Sequence, residues 1–244
     1  MVEIFYIPGL NTYGDGQIHV GPFRFGQMHS HISAALLKHD VRLVCYNERV
    51  HGSAKMVTLL GHSTGGLIAR ALAHQKGHSS TIKRIITIAT PHLGTPLADR
   101  ALSLPVRKKL LSKVMRAAGY DLKHRVKFFE KLTPLALKKF NETYPDIDTI
   151  AYYSILSAPK ASELELVFRF LLMGAGLRFD SVERFDGIIP YESQKWGVLL
   201  GNLELDHLAQ IGFFRHIIST RRRNVAKLQF DEMISLIAST VKMS

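Results

Sequence analysis

Short apolar runs recur along the chain, and segments with helical periodicity lie between them. Runs of about four to eight apolar and β-branched residues bounded by turn residues are typical of buried strands. The six runs are EIFYI (3–7), VRLVCY (41–46), KMVTLL (55–60), IKRIITIAT (82–90), TIAYYSIL (149–156) and WGVLLGN (196–202).

The intervening segments place apolar residues three and four positions apart, as on one face of a helix. Alternation of strands with helices predicts an α/β protein whose sheet is mostly parallel and flanked by helices. The length of 244 residues, 46% of them hydrophobic, favours a single domain over 1–244. Helices are expected over residues 29–39, 67–75, a basic stretch that ends near 140, 163–176 and 222–241.

A serine between glycines follows the third apolar run and precedes a helical pattern. Gly61-His62-Ser63-Thr64-Gly65 fits G-x-S-x-G, the nucleophile elbow, in which a sharp strand-to-helix turn presents the serine hydroxyl at the edge of the sheet. A serine attacks a carbonyl only when a general base takes its proton, and that base is oriented by a carboxylate. Ser63 is therefore the candidate nucleophile.

The acid and the base should follow Ser63 in that order along the chain. Asp186 lies in an Asp-Gly turn after the fifth apolar run, and His207 follows the last one. Both positions are expected at the carboxyl ends of the strands, where open α/β sheets hold their active sites. Asp180 and His216 are the nearest competitors for these two roles.

An acyl-transfer site also needs N–H donors for the oxyanion that develops on the substrate. The amide of Thr64, directly after the nucleophile, is one candidate. The amide of Leu10, in the loop PGLNTYG after the first strand, is the other.

Charge is unevenly distributed along the chain. The formal net charge is +12, and residues 107–139 hold eleven Lys and Arg residues against Asp121 and Glu130. Basic and apolar residues alternate there at helical spacing, which predicts a helix with a solvated basic face whose apolar side packs on the body. The alternative is contact with an anionic membrane surface through residues 105–140. No recognised nucleic-acid-binding module accompanies the charge, so a nucleic-acid partner is not expected.

The N-terminus, MVEIFYIPGLN, has neither a basic region nor a long apolar region, so no signal peptide is expected. We therefore expect a cytoplasmic or membrane-peripheral protein, with secretion as the alternative for a processed chain. The oligomeric state cannot be read from the sequence.

Four pieces of the sequence occur together in one order: YIPGLNTYG, LLGHSTGGLIAR, IATPHLGTPLAD, and DGIIP followed by LDHLAQ. In these pieces the chain resembles bacterial lipases of the α/β-hydrolase fold, particularly the true lipases of the pseudomonad and burkholderia type. The resemblance implies a Ser63–Asp186–His207 triad, an oxyanion hole of the Leu10 and Thr64 amides, and hydrolysis of medium- or long-chain acyl esters without a cofactor. It also implies a helical lid, here about residues 102–140.

Two departures from that family change the expectations. Calcium-binding relatives have an aspartate where this chain has Ala209, so no metal is expected. Only NERVHGSAKM (47–56) joins the second and third strands, whereas a parallel crossover normally takes a dozen residues or more. The shortened crossover predicts an exposed apolar patch on one face of the sheet.

Two other functions remain compatible with these residues. The same triad could transfer the acyl group to an alcohol other than water. Alternatively, the chain could be a non-catalytic protein that binds a membrane or a partner on a hydrolase scaffold.

Overall fold

The computed structural model of the protein describes residues 1–9, 17–20, 23–45, 56–75, 79–103, 129–177 and 184–243. Six strands form one sheet in which every neighbouring pair is parallel, and a separate antiparallel hairpin joins β2 to β3. The order across the sheet is β4-β1-β5-β6-β7-β8. The strands are β1 (Val2–Ile7), β2 (Gln17–Val20), β3 (Phe23–Gln27), β4 (Val41–Cys45), β5 (Val57–His62), β6 (Ile82–Ile88), β7 (Ala151–Ser157) and β8 (Val198–Leu203).

The helices lie between the strands in the α/β alternation that the sequence predicts. They are α1 (Met28–Leu37), α2 (Thr64–Ala73), α3 (Pro96–Ser103), α4 (Pro134–Thr143), α5 (Leu166–Gly174) and α6 (Thr220–Lys242). Short 3₁₀ turns occur at Ala161–Glu163, Glu192–Gln194 and Ala209–Ile211. Among the helices in the described ranges, none is both long and apolar enough to cross a membrane.

The core lies on both faces of the sheet because successive strand residues point to opposite sides. Ile4 and Tyr6 of β1 pack on the side that α1 and α6 cover, together with Ile234. Ile7 of the same strand packs on the other side, with Ala69 of α2. The central strand β5 is buried at every position, as expected for a parallel strand covered on both faces.

All six predicted strands are present, and the predicted α/β class is confirmed. Several elements differ from the prediction; helix α5, for example, spans Leu166–Gly174 rather than 163–176. The helix after the elbow begins at Thr64 rather than at residue 67, because the chain passes from the turn directly into the helix. The hairpin of β2 and β3 lies in a stretch for which no strand was predicted.

The segment expected to form the lid, 102–140, lies partly outside the described residues, because nothing is described between 104 and 128. Its last part packs against the body of the protein. Leu137 is fully buried with Leu67 and Ala98. The predicted long helix is interrupted at Thr133, whose hydroxyl caps α4 by accepting a hydrogen bond from the Ala136 amide at 3.2 Å. The lid stays a prediction for residues 104–128.

Of the short crossover 47–56, residues 47–55 are outside the described ranges. Phe5 and Val44, which are paired across β1 and β4, are half-buried. Beside them, Arg42 and Glu3 form an exposed ion pair at 3.1 Å. The exposed apolar patch expected here stays a prediction.

Candidate active site

Ser63 lies at the turn between β5 and α2 with φ of 56° and ψ of −132°. A non-glycine residue with positive φ is uncommon and is held there only by its surroundings. Two hydrogen bonds hold this one: the Ser63 amide donates to the Ile88 carbonyl at 2.9 Å, and the Thr90 hydroxyl donates to the Ser63 carbonyl at 2.8 Å. The strained turn that the G-x-S-x-G pattern predicts is therefore present.

The glycines of the pattern are required by close backbone approach. A Cβ added to Gly65 would lie 2.0 Å from the carbonyl oxygen of Ile7 in β1. A Cβ added to Gly61 would lie 2.5 Å from the backbone of Gly66, one turn into α2. Strand, turn and helix can pack this closely only because both positions lack side chains.

Asp186 and His207 form a buried hydrogen-bonded pair. His207 Nδ1 donates to Asp186 Oδ2 at 2.8 Å, and the His207 amide donates to the Asp186 carbonyl at 2.8 Å. Asp186 Oδ1 accepts hydrogen bonds from the amides of Ile188 and Ile189, at 2.9 and 2.7 Å. Since Asp186 is 0% exposed, these donors take the place of water around its carboxylate.

The elbow and the Asp186–His207 pair lie next to each other. The rings of His62 and His207 are 4.8 Å apart between centroids, and His62 directly precedes Ser63. Both Ser63 and His207 are within the described part of the chain, and no hydrogen bond joins the serine hydroxyl to the imidazole. Such bonds are often long in the absence of substrate and shorten when it binds.

Of the two candidate oxyanion donors, the structure describes only Thr64. Thr64 is buried and is the first residue of α2, directly after the elbow. Leu10 lies outside the described residues. The preceding residue, Gly9, passes close to the nucleophile, since a Cβ added there would lie 3.3 Å from Ser63 Oγ. The oxyanion hole stays a prediction.

The competitor histidine has another partner. His216 Nε2 lies 2.7 Å from Asp206 Oδ2, and Asp206 Oδ1 accepts hydrogen bonds from the amides of Leu208 and Ala209 at 3.0 and 2.9 Å. His216 is therefore engaged away from Asp186. The competitor aspartate, Asp180, lies outside the described residues.

Two further residues contact the pair and were not expected from the sequence. Gln210 donates from Nε2 to Asp186 Oδ2 at 3.2 Å, and its Oε1 lies 3.1 Å from His62 Nε2. Burial, with a smaller contribution from nearby His207, lowers the pKa of His62 to about 3, so this ring is neutral at physiological pH. Gln210 ends the LDHLAQ piece, but nothing in that piece indicates its contacts with Asp186 and His62, which lie 24 and 148 positions away along the chain.

The described residues contain no group of three or more His, Cys, Asp and Glu side chains that could hold a metal ion.

Comparison with known proteins gives one family match and two curated relatives. Residues 30–141 match the PGAP1-like alpha/beta domain. The chain is 26% identical over 185 residues to triacylglycerol lipase 2 of Saccharomyces cerevisiae, a match that covers 73% of this chain and 52% of the yeast protein. It is 50% identical over 36 residues to GPI inositol-deacylase of Candida albicans, covering 15% of this chain and 9% of that protein. The chain thus spans about half or less of the length of these relatives.

Among solved structures, the lipase of Staphylococcus hyicus is similar, with a TM-score of 0.68 at 14% sequence identity. The match covers 98% of this chain and 95% of the lipase. At such low identity the likeness shows the fold alone. The narrower resemblance to the pseudomonad and burkholderia type stays a prediction. The chain has the α/β-hydrolase fold and is similar in sequence to a triacylglycerol lipase.

Proposed function

We propose that this protein is a serine carboxylic-ester hydrolase that acts on medium- or long-chain acyl esters. The observation that carries the proposal is the buried Asp186–His207 pair, joined at 2.8 Å and placed beside a serine held in the strained elbow conformation. This combination supplies a general base, the carboxylate that orients it and a nucleophile elbow that carries the serine. Acyl transfer needs these three parts.

In the proposed reaction Ser63 Oγ attacks the ester carbonyl while His207 Nε2 takes the hydroxyl proton. Asp186 holds the imidazole through Nδ1 and stabilises its positive charge. The Thr64 and Leu10 amides hold the oxyanion, His207 returns the proton to the leaving alcohol, and an acyl-enzyme forms. Water activated by His207 then releases the acid and regenerates Ser63.

The relatives favour a lipid ester as the substrate. The yeast relative is a triacylglycerol lipase. The family match and the Candida albicans relative favour a second candidate, removal of an acyl chain from a lipid with a polar headgroup. Both candidate reactions hydrolyse a carboxylic ester with the same three residues. They differ only in the alcohol that leaves.

The basic segment 105–140 would bring the protein to anionic lipid, which fits a cytoplasmic or membrane-peripheral location. Transfer of the acyl group to an alcohol other than water is the alternative reaction. A non-catalytic binding role is the alternative function, and it predicts no turnover at all.

The test measures turnover of p-nitrophenyl esters with short, medium and long acyl chains, for the wild type, S63A and the surface control S235A. We expect S63A to lower kcat by about 10³-fold or more, and S235A to match the wild type. Full activity of S63A would refute the mechanism, and a preference for short chains would make the protein an esterase rather than a lipase.

Three additions to the same assay separate the alternatives. Competing alcohols reveal an acyl ester product if the enzyme is a transferase. A triacylglycerol and an acylated inositol lipid, offered in parallel, distinguish the two substrate classes. Anionic and neutral vesicles that carry the substrate show whether the basic segment matters, since turnover should be higher on the anionic ones and should fall with added salt.

A further inference from the structure

Gln210 is fully buried in the 3₁₀ turn Ala209–Ile211, and its side-chain amide makes three hydrogen bonds or close polar contacts. Its Nε2 donates to Asp186 Oδ2 at 3.2 Å and to the Leu205 carbonyl at 3.3 Å. Its Oε1 lies 3.1 Å from His62 Nε2. Both hydrogens of the amide and its oxygen are therefore used, and a buried polar group of this kind keeps one orientation.

The contacts of Gln210 also fix the tautomer of His62. Because the Gln210 nitrogen faces two acceptors, its oxygen must face His62, and His62 Nε2 must carry the hydrogen. His62 Nδ1 is then without a hydrogen, and no described residue is its hydrogen-bond partner. A turn of the Gln210 amide by 180° would place its oxygen against Asp186 Oδ2 and its nitrogen against the His62 N–H, and both contacts would be repulsive.

Asp186 Oδ2 is thus shared between two donors, His207 Nδ1 and Gln210 Nε2. We propose that Gln210, whose amide oxygen accepts from the His62 N–H, is a positioning residue that fixes the Asp186 carboxylate and limits how strongly it binds the charged form of His207. The proposal rests on the proposed function, because it concerns the same acid and base. It links the elbow, through His62, to the loop that carries the acid.

The physical effect follows from competition for one oxygen. A donor on Asp186 Oδ2 withdraws negative charge that would otherwise stabilise the His207 imidazolium. Removal of Gln210 Nε2 should therefore raise the pKa of His207 and loosen the carboxylate. Among the described residues, the titratable side chains in contact with His207 are Asp186 and His62. The Asp206–His216 pair lies on the same loop.

The first measurement does not depend on turnover. The titration of His207 is followed by NMR in S63A and in S63A combined with Q210L, Q210E or the matched control Q229L. Gln229 is also a side-chain amide that contacts backbone, at the Glu204 amide. We expect the pKa of His207 to rise in Q210L, and to rise further in Q210E, which adds a negative charge. Q229L should leave it unchanged.

The second measurement is kcat/KM against pH in chains that retain Ser63. The acid limb, which reports the protonation of His207, should move to higher pH in Q210L, with kcat lower by about tenfold. If His62 acts through Gln210, H62L should give the same shift, and the double variant H62L/Q210L should shift no further than either single one.

The outcomes separate the two claims. Absence of Ser63-dependent turnover together with a shifted His207 would sink the proposed function and leave the positioning role. Turnover with an unchanged pKa of His207 in folded Q210L and Q210E would sink the positioning role alone. Failure of both variants to fold would also overturn it, because Gln210 would then be a structural residue.

Discussion

Two histidines of the fold are buried and held neutral. His62 lies against His207, and its pKa is lowered to about 3, mainly by burial. His92 is 0% exposed, with Nε2 3.2 Å from the Thr87 hydroxyl and Nδ1 3.4 Å from the Arg70 guanidinium. Burial and the Arg70 charge lower the pKa of His92 well below its usual value. Both rings therefore resist protonation in the folded protein while they protonate freely in the unfolded chain.

This difference predicts a loss of stability in acid. Between the ordinary histidine pKa of about 6.5 and the lower folded values, the unfolded chain binds more protons than the folded one, so stability falls as pH falls. Each buried histidine contributes a slope of up to about 1.4 kcal/mol per pH unit in this window. H92Q should remove one such slope. Urea unfolding at several pH values from neutral to about 4.5 measures it, and equal slopes for wild type and H92Q would contradict the assignment.

Among single residues of the site, the sequence predicts those whose neighbours along the chain form a recognisable motif. It does not predict those whose role depends on contacts between distant parts of the chain. Ser63 is marked by its flanking glycines, and Asp186 and His207 by turns that follow apolar runs. Gln210 and His62 meet across 148 positions of the chain, and only the packed fold brings them together. His216 could not be set aside from sequence, because its partner Asp206 is recognisable only from the contact between them.

At the scale of elements, β5 and α2 are joined by a turn whose backbone packs tightly against β1. G65A should destabilise the protein by about 2–3 kcal/mol, because the new methyl group would lie 2.0 Å from the Ile7 carbonyl oxygen, a backbone atom that cannot move aside. It should also lower activity, since the same shift displaces Ser63.

The matched control is G174A, also a glycine-to-alanine change within a helix. An added Cβ at Gly174 would meet nothing within 4 Å, so G174A should stabilise the protein by about 0.5–1 kcal/mol. Urea unfolding of both variants tests the pair. Similar effects of the two substitutions would show that the packing at the elbow is looser than the distances indicate.

Elements with continuous apolar runs could be predicted from the sequence, and elements set by other forces could not. β5 is buried at every position and β6 at every position except Lys83, so apolar residues dominate both runs and their positions are clear. The sequence predicts the start of α2 at residue 67, because glycines such as Gly65 and Gly66 disfavour a helix. In the structure the helix begins at Thr64 and includes both glycines. Helix α5 read as apolar throughout, and it buries Phe168 and Leu172 while Phe170 remains 68% exposed.

At the scale of the whole molecule, Arg70 joins three parts of the chain. Its guanidinium donates to Asn141 Oδ1 and to the Tyr144 carbonyl, both at 2.8 Å, and lies 3.6 Å from the centroid of the Trp196 ring. Burial lowers the pKa of Arg70 to about 10, with Asp146 acting in the opposite direction, so the group stays charged at neutral pH. Helix α2, the end of α4 and the segment before β8 are held together here.

R70K should destabilise the protein by about 2–3 kcal/mol. A lysine nitrogen cannot reach both acceptors in the fixed geometry of a guanidinium, nor stack on the indole, so a part-buried acceptor loses its partner. R221K, at an exposed position, should change the free energy of unfolding by less than about 0.5 kcal/mol. Urea unfolding provides the measurement, and equal stabilities of the two variants would refute a joining role for Arg70.

The arrangement of the strands lies beyond the reach of the sequence patterns. The alternation of runs and helices predicts a parallel sheet, but nothing local indicates that β1 lies between β4 and β5 or that β8 forms an edge. The order of the strands depends on how the helices pack on the two faces of the sheet, which involves contacts between distant parts of the chain.

The order of the strands also divides the proposed chemistry between two lengths of chain. Residues 1–103 contribute four adjacent strands and Ser63, whereas residues 129–243 contribute β7, β8, Asp186 and His207. The two lengths of chain meet in the sheet where β6 pairs with β7, and we call this pairing the seam. Two fragments produced by a cut between 103 and 129 would each be inert, and co-expressed they could recover ester cleavage only by rejoining along that seam. Their combined activity would then report fragment reassembly, as in a split-enzyme sensor.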